Sequence, residues 1–159
     1  MHTTAQKVAE AARSLGLEIK IKEFEATTRT AEDAARAIGC TVAQIVKSLL
    51  FVVDAQPVMA LVSGPNRLDE KKLAALRGVG KNKVKRANAE IVRDATGFAI
   101  GGVPPFGHIT RLPTYIDQDF WQFEVIWAAA GTPNTVFAIT PDELVRATAG
   151  AIADLKADV

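Results

Sequence analysis

The run Val46-Lys47-Ser48-Leu49-Leu50-Phe51-Val52-Val53 is followed, across Asp54-Ala55-Gln56, by Pro57-Val58-Met59-Ala60-Leu61-Val62. This is the most apolar part of the chain. Strand alternation puts Val46, Leu50 and Val52 on one face and Leu49, Phe51 and Val53 on the other. A strand apolar on both faces lies centrally in a sheet and is covered on both sides. The two runs read as a hairpin, although the connection lacks an Asn-Gly type of turn. Lys47 shares its face with Leu49, Phe51 and Val53. An ammonium there is costly unless it gains a polar or anionic partner. Two readings are open. Lys47 is either a strand-end lysine whose stem snorkels to water, or a cation at the floor of a pocket, where it would hold a phosphate or a developing oxyanion.

Toward the N-terminus, Ala5, Val8, Ala9, Ala12 and Leu15 recur at helical spacing, and Gly16 ends that helix. Glu18 to Phe24 alternates as a strand, near a sheet edge because of its lysines. Thr30 caps a second helix with acids in its first turn, and Gly39 stops it. Thr41 caps a short turn over Val42 to Ile45. Toward the C-terminus, Asp69 caps a helix through Leu76, and Asn88 caps another that ends at Gly97. Phe98 to Ile109 is a loop rich in glycine and proline. Asp117 to Phe123 fits no single element. Val125 to Ala130 and Thr135 to Ile139 read as strands around Gly131-Thr132-Pro133-Asn134. Thr140, Pro141 and Glu143 start the last helix with a capping box, and Leu144, Ala151, Ile152 and Leu155 continue it. This irregular interleaving predicts an α+β fold, a mixed sheet with packed helices, in one domain over residues 1–159.

The formal net charge of +1 gives no global polyanion-binding signature, so a nucleic-acid role has to come from a local patch. Cys40 is the only cysteine, which excludes an internal disulfide and a thiolate metal cluster. With His2 and His108 as the only histidines, a zinc site of the usual kind is not expected, nor is a cofactor. Met1-His2-Thr3-Thr4 has no basic region followed by an apolar stretch, and no apolar run approaches the ~20 residues of a membrane span. The expectation is a cytoplasmic protein with no membrane partner.

Two further features could carry chemistry. Gly101-Gly102-Val103-Pro104-Pro105-Phe106-Gly107-His108 packs three glycines and two prolines into eight residues. Its backbone N–H groups could face an anion or a carbonyl oxygen, or it could be a plain tight connection. It lacks the spacing of a nucleotide-binding loop. His108 could act as a base, or hold a structural hydrogen bond, which is the commoner role for a histidine without a visible partner. The second feature is a basic stretch of Lys71, Lys72, Lys81, Lys83, Lys85 and Arg86, joined by Arg77 and Arg93. Such a run is usually a solvated face, yet in a nearly neutral chain it also creates positive potential suited to a phosphate backbone.

Taken together, three segments resemble the YbaK/prolyl-tRNA synthetase-associated domain family. They are Val46 to Phe51, Asp69 to Leu73, and Thr96-Gly97-Phe98-Ala99-Ile100 running into Gly101 to Gly107. Arg111 to Asp117, Ala129-Ala130-Gly131 and Ile139 to Leu144 continue the likeness over nearly the whole chain. The resemblance implies a mixed, partly open, barrel-like β-sheet flanked by helices. It implies hydrolysis of the ester bond of mischarged aminoacyl-tRNA, often tRNA(Pro), in trans to prolyl-tRNA synthetase and without a metal. The family's lysine falls on Lys47 and its glycine-x-x-x-proline loop on Gly101 to Pro105. The substrate's own terminal hydroxyl and a positioned water would take the place of a protein nucleophile.

On this reading Lys47, Gly101 and Gly102 are the catalytic candidates. Val103, Pro104, Pro105, Phe106, Gly107 and His108 shape the substrate pocket. Lys71, Lys72, Lys81, Lys83, Lys85 and Arg86 receive the tRNA. The loop reads Val-Pro-Pro-Phe rather than the Ile-Ser-Pro-Leu type, and Gly131 to Asn134 replaces a basic turn. The amino acid removed therefore stays open among alanine, 2-aminobutyrate, serine, threonine and cysteine. The alternative is a non-catalytic module that binds tRNA or a synthetase.

Overall fold

The computed structural model describes residues 3–25 and 30–158. Met1 and His2, and with them the start of the segment read for a leader sequence, lie outside the described residues. In chain order the elements are α1 (Thr3–Ser14), β1 (Ile21–Glu23), α2 (Ala31–Ile38), β2 (Val46–Val53), β3 (Gln56–Ser63), α3 (Glu70–Arg77), β4 (Val84–Arg86) and α4 (Ala89–Thr96). β5 (Thr114–Asp117), β6 (Ile126–Ala129), β7 (Thr135–Ile139), α5 (Pro141–Thr148) and β8 (Ala151–Ala153) follow. No described helix is long and apolar enough to cross a membrane.

The strands form two sheets. One has the order β4-β2-β3-β5-β8 and the other β1-β7-β6. β2 and β3 pair antiparallel from Val46↔Ser63 to Val53↔Gln56, as the apolar runs predict. Asp54 (φ 49°) and Ala55 (φ 68°) both adopt left-handed backbone at the turn. That conformation suits the twist of a two-residue hairpin, here without the glycine that usually supplies it. β5 and β8 add parallel to β3, so the larger sheet is mixed. The sheets meet at a parallel bridge between Ile45 and Trp127, and among the described residues the strands do not close into a barrel.

The two apolar faces of the hairpin serve two cores. Val46, Leu50, Met59 and Leu61 pack with α1, Phe106, Phe120, Phe137 and Leu144. Phe51, Val53, Val58, Ala60 and Val62 pack with Leu73 of α3 and Leu155. Val58, Met59, Ala60, Leu61 and Val62 have no exposed surface at all. Each large side chain among them gains roughly 1.5–3 kcal/mol from burial, so β3 is the best-anchored strand. β1 is an edge strand, as its lysines suggest.

The caps fall where they are expected. Thr30, Asp69, Asn88 and Thr140 each accept a backbone N–H at a helix start, and Gly39, Gly78 and Gly97 end helices in left-handed conformation. The last helix is a correction. It stops at Thr148 rather than running on through Leu155, because Ala149 turns left-handed (φ 53°) and the chain re-enters the sheet. Thr148 Oγ1 holds that exit, donating to Leu144 O and accepting the Gly150 N–H. A helical spacing of Ala151, Ile152 and Leu155 is therefore coincidental. Ala151 to Ala153 pair with Tyr115 to Asp117 instead.

Candidate functional site

β4 pairs only with Phe51, Val52 and Val53, and the Ala87 N–H reaches Leu50 O just beyond. The first half of β2 therefore has no β4 neighbour along that edge. A cleft of about 350 Å³ opens there, within the range of small-ligand sites. The whole stretch Ile45–Leu50 forms one wall. Ala31 and Ala34 of α2, Ile100, Gly101 and Val103 of the loop, and Trp127 to Ala129 with Val136 close the others. Arg86, at the end of β4, also reaches it.

Lys47 sits half-buried on this cleft. Its ammonium donates to Asn66 O at 2.6 Å. Burial lowers its pKa from the ordinary 10.5; Glu32 opposes that shift, Arg86 adds to it and Asp117 opposes it. The lysine thus has the polar partner that the cost of burying an ammonium demands. A lysine carries three N–H donors, and one goes to Asn66, which leaves two for the cleft. Ser48 next to it lines the cleft too. Among the described residues its Oγ is the one buried side-chain oxygen or nitrogen without a hydrogen-bond partner.

The glycine loop divides into parts with different roles. Gly101 lines the cleft, and its φ of 97° needs glycine. Gly102 does not line it. Its N–H donates to Ala99 O, and a Cβ there would lie 2.8 Å from the backbone of Gly131 and Thr132. Gly102 is therefore a close-packing glycine against the β6–β7 turn, not a donor toward the cleft. Val103 lines the cleft, but Pro104, Pro105, Phe106, Gly107 and His108 do not. Phe106 is buried against Phe137 in the core, with ring centroids 5.6 Å apart. His108 Nε2 bonds Pro104 O at 2.6 Å, and burial lowers its pKa from 6.5. It lies beside Arg111 and Arg146 in a second, outer groove. These residues shape the loop from behind; they do not form the pocket.

The basic stretch also divides. Arg86 is at the cleft and stacks its guanidinium over Phe51 at 5.6 Å. Lys71, Lys81, Lys83 and Lys85 are exposed. Lys72 is held by Asp154 and by Lys156 O, and Arg77 by Tyr115 and Gln56. Lys72 is thereby drawn toward the C-terminal segment. Lys22 of β1 stands 5.9 Å over Trp127 at the cleft wall, a basic group the sequence did not single out. Among the described residues no group of three His, Cys, Asp or Glu side chains is placed to hold a metal ion.

Known proteins bear on this arrangement. A profile of the aminoacyl-tRNA editing domain matches residues 25–147. The chain belongs to that family. This editing domain is 34% identical over 125 residues to "Uncharacterized protein YwhH" of Bacillus subtilis (strain 168), covering 78% of each chain. It is 30% identical over 127 residues to "Putative Cys-tRNA(Pro)/Cys-tRNA(Cys) deacylase EbsC" of Enterococcus faecalis (strain ATCC 700802 / V583), covering 79% of this chain and 76% of that one. A solved structure described as "Crystal structure of a putative trans-editing enzyme for prolyl tRNA synthetase" superposes with a TM-score of 0.94. It is 46% identical, and 99% of both chains is covered. The α+β fold of this editing domain is the fold of that neighbour.

Sequence reasoning missed Asn66, Asp117, Ser48 and Trp127. The only local signal was a polar Asn66 in the Ser63-Gly64-Pro65-Asn66 turn directly after the most buried strand.

Proposed function

We propose that this editing domain hydrolyses, in trans, the ester bond of aminoacyl-tRNA carrying a small non-cognate amino acid, with tRNA(Pro) as the carrier. The observation that carries the reading is one cleft, in a member of the editing family, walled by both Lys47 and Gly101. The choice of tRNA(Pro) follows the likeness to EbsC, named a "Putative Cys-tRNA(Pro)/Cys-tRNA(Cys) deacylase", and to the solved neighbour, named a "putative trans-editing enzyme for prolyl tRNA synthetase".

The chemistry asks little of the protein. An aminoacyl ester is activated, so orientation and oxyanion stabilisation supply most of what hydrolysis needs. Water adds to the ester carbonyl, forming a carbon–oxygen bond and a tetrahedral oxyanion. The free Lys47 N–H donors and the Gly101 backbone face that charge. Collapse breaks the bond to the terminal ribose oxygen, which leaves with the proton lost by water. The products are the free amino acid and the tRNA. Ala31, Ala34, Ile100 and Val103 give the side chain small apolar walls, and Ser48 Oγ offers a polar substrate atom a bond. Arg86 and the exposed lysines draw in the acceptor end.

The test is a panel of tRNA(Pro) charged with alanine, 2-aminobutyrate, serine, threonine, cysteine or proline. Faster hydrolysis of at least one non-cognate ester, lost in Lys47→Ala, is expected. Protection of every charged tRNA without faster hydrolysis would make this a binding module instead.

A further inference from the structure

Asp117 has no exposed surface, ends β5, and touches none of the cleft. A buried carboxylate persists only where its oxygens are satisfied. Asp117 Oδ2 accepts the Ser63 N–H at 3.0 Å and Asn66 Nδ2–H at 2.9 Å. Its Oδ1 accepts the Asp119 N–H at 2.9 Å. Asn66 Nδ2 also donates to Asp119 Oδ2 at 2.8 Å, and the Asn66 N–H donates to Ser63 O at 2.9 Å.

The turn is fixed from its other side as well. Ser63 Oγ donates to Ala43 O at 2.6 Å, and a Cβ on Gly64 would lie 2.1 Å from Val42 O. Most of these contacts converge on the 63–66 turn, whose Asn66 carbonyl accepts from Lys47 Nζ.

We propose that Asp117 is the positioning residue for Lys47, acting through Asn66: the carboxylate locks the 63–66 turn so that its carbonyl holds the ammonium on the cleft wall. The inference deepens the deacylase reading and rests on it for its functional consequence. A free lysine side chain samples many rotamers, so a tip held at one point removes most of that freedom before substrate arrives. The charges facing Lys47 are Glu32 from α2, Arg86 from β4 and Asp117 behind Asn66. Asp119 adds a second carboxylate on the Asn66 amide.

Asp117→Asn removes the charge in either amide orientation, and its NH2 opposes either the Asp119 N–H or both donors of the 63–66 turn. Asn66→Ala cuts the side-chain tie but keeps the main-chain carbonyl and the Asp117 charge.

The experiment follows Lys47 directly. Lysines labelled with 13C at Cε are titrated by NMR, with the Lys47 signal assigned by its loss in Lys47→Arg. Deacylation is measured beside it after subtracting uncatalysed hydrolysis. In Asp117→Asn the Lys47 titration midpoint moves down, and in Asn66→Ala it moves down less. The alkaline limb of the kcat profile moves with it. Displacing one catalytic group by about 1 Å lowers kcat on the order of 100-fold, with KM nearly constant. Loss of the Asp117 charge by itself lowers the midpoint in Asp117→Asn, so positioning is read from Asn66→Ala, which keeps that charge; a merely structural carboxylate leaves the Asn66→Ala midpoint and kcat in place.

A folded Asn66→Ala with parental Lys47 midpoint and parental kcat overturns the proposal. If Asp117→Asn does not fold, Asn66→Ala decides by the same two readouts. If the parent protein deacylates nothing, the functional reading fails, and the midpoint alone decides whether Asp117 holds the lysine.

Discussion

Replacing Lys47 with methionine separates what the cleft does from what the fold needs. The change keeps most of the stem and removes the ammonium. Two terms then oppose each other in stability. The charge-assisted bond to Asn66 O, 2.6 Å long, is lost, which costs about 1.5–3 kcal/mol. The desolvation that lowers the Lys47 pKa is relieved, and the methionine gains contact with Leu49 and Phe51 on the same face. The net change in unfolding free energy is expected within about 1 kcal/mol of zero. Deacylation loses a donor to the oxyanion, which costs roughly 100- to 1,000-fold in kcat.

Chemical denaturation and single-turnover hydrolysis on the same preparation give both numbers. The pH dependence adds a sign. With a folded pKa below 10.5, the unfolded chain holds the Lys47 proton to higher pH than the native one does. The parent therefore gains stability as pH rises from that folded value toward 10.5, and Lys47→Met lacks this rise. A variant that deacylates at the parental rate, or that loses several kcal/mol of stability, would refute the reasoning.

Other outcomes follow from the same geometry. Gly102→Ala places a methyl 2.8 Å from the Gly131–Thr132 backbone, and a loss of about 1–3 kcal/mol in denaturant unfolding is expected. His108→Gln leaves deacylation within about twofold, because His108 stands outside the cleft. Its folded pKa is depressed, so the stability it contributes is full above 6.5 and is lost as pH falls through the lower folded value. Melting curves from neutral to acid pH should show that loss in the parent and not in the variant. Arg86→Ala should raise KM and flatten the salt dependence of tRNA binding, whereas Lys72→Ala, already engaged by Asp154, should change both less.

The hairpin and the starts of α2, α3, α4 and α5 were legible because their signals are local: two-faced apolar runs, and cap residues at fixed offsets. β4 and β8 were not, since three residues carry too little pattern and their pairing with β2 and β5 decides them. The same limit applies at the site. Lys47 stood out as a cation on an apolar face, and Gly101 as part of an unusual loop. The link from Asp117 to Asn66 spans 51 positions, and no local pattern announces it. Pro104 to His108 were misplaced for a related reason. A glycine-proline cluster signals an unusual backbone path but not which side of it faces a ligand, and here the far side packs on Phe137.

The division of labour along the cleft bears on how such domains diversify. In the proposed reaction charge handling falls to Lys47, Arg86 and main-chain atoms, while width is set by Ala31 and Ala34 of α2 and by Val103 of the glycine loop. A methylene added at one of these alanines would shrink the chamber without moving Lys47 or Gly101. Discrimination of about 1–3 kcal/mol per methylene would then shift the preferred substrate in a single mutational step. Under the proposed function, the same lysine and glycine could thus serve a domain with a different amino-acid preference.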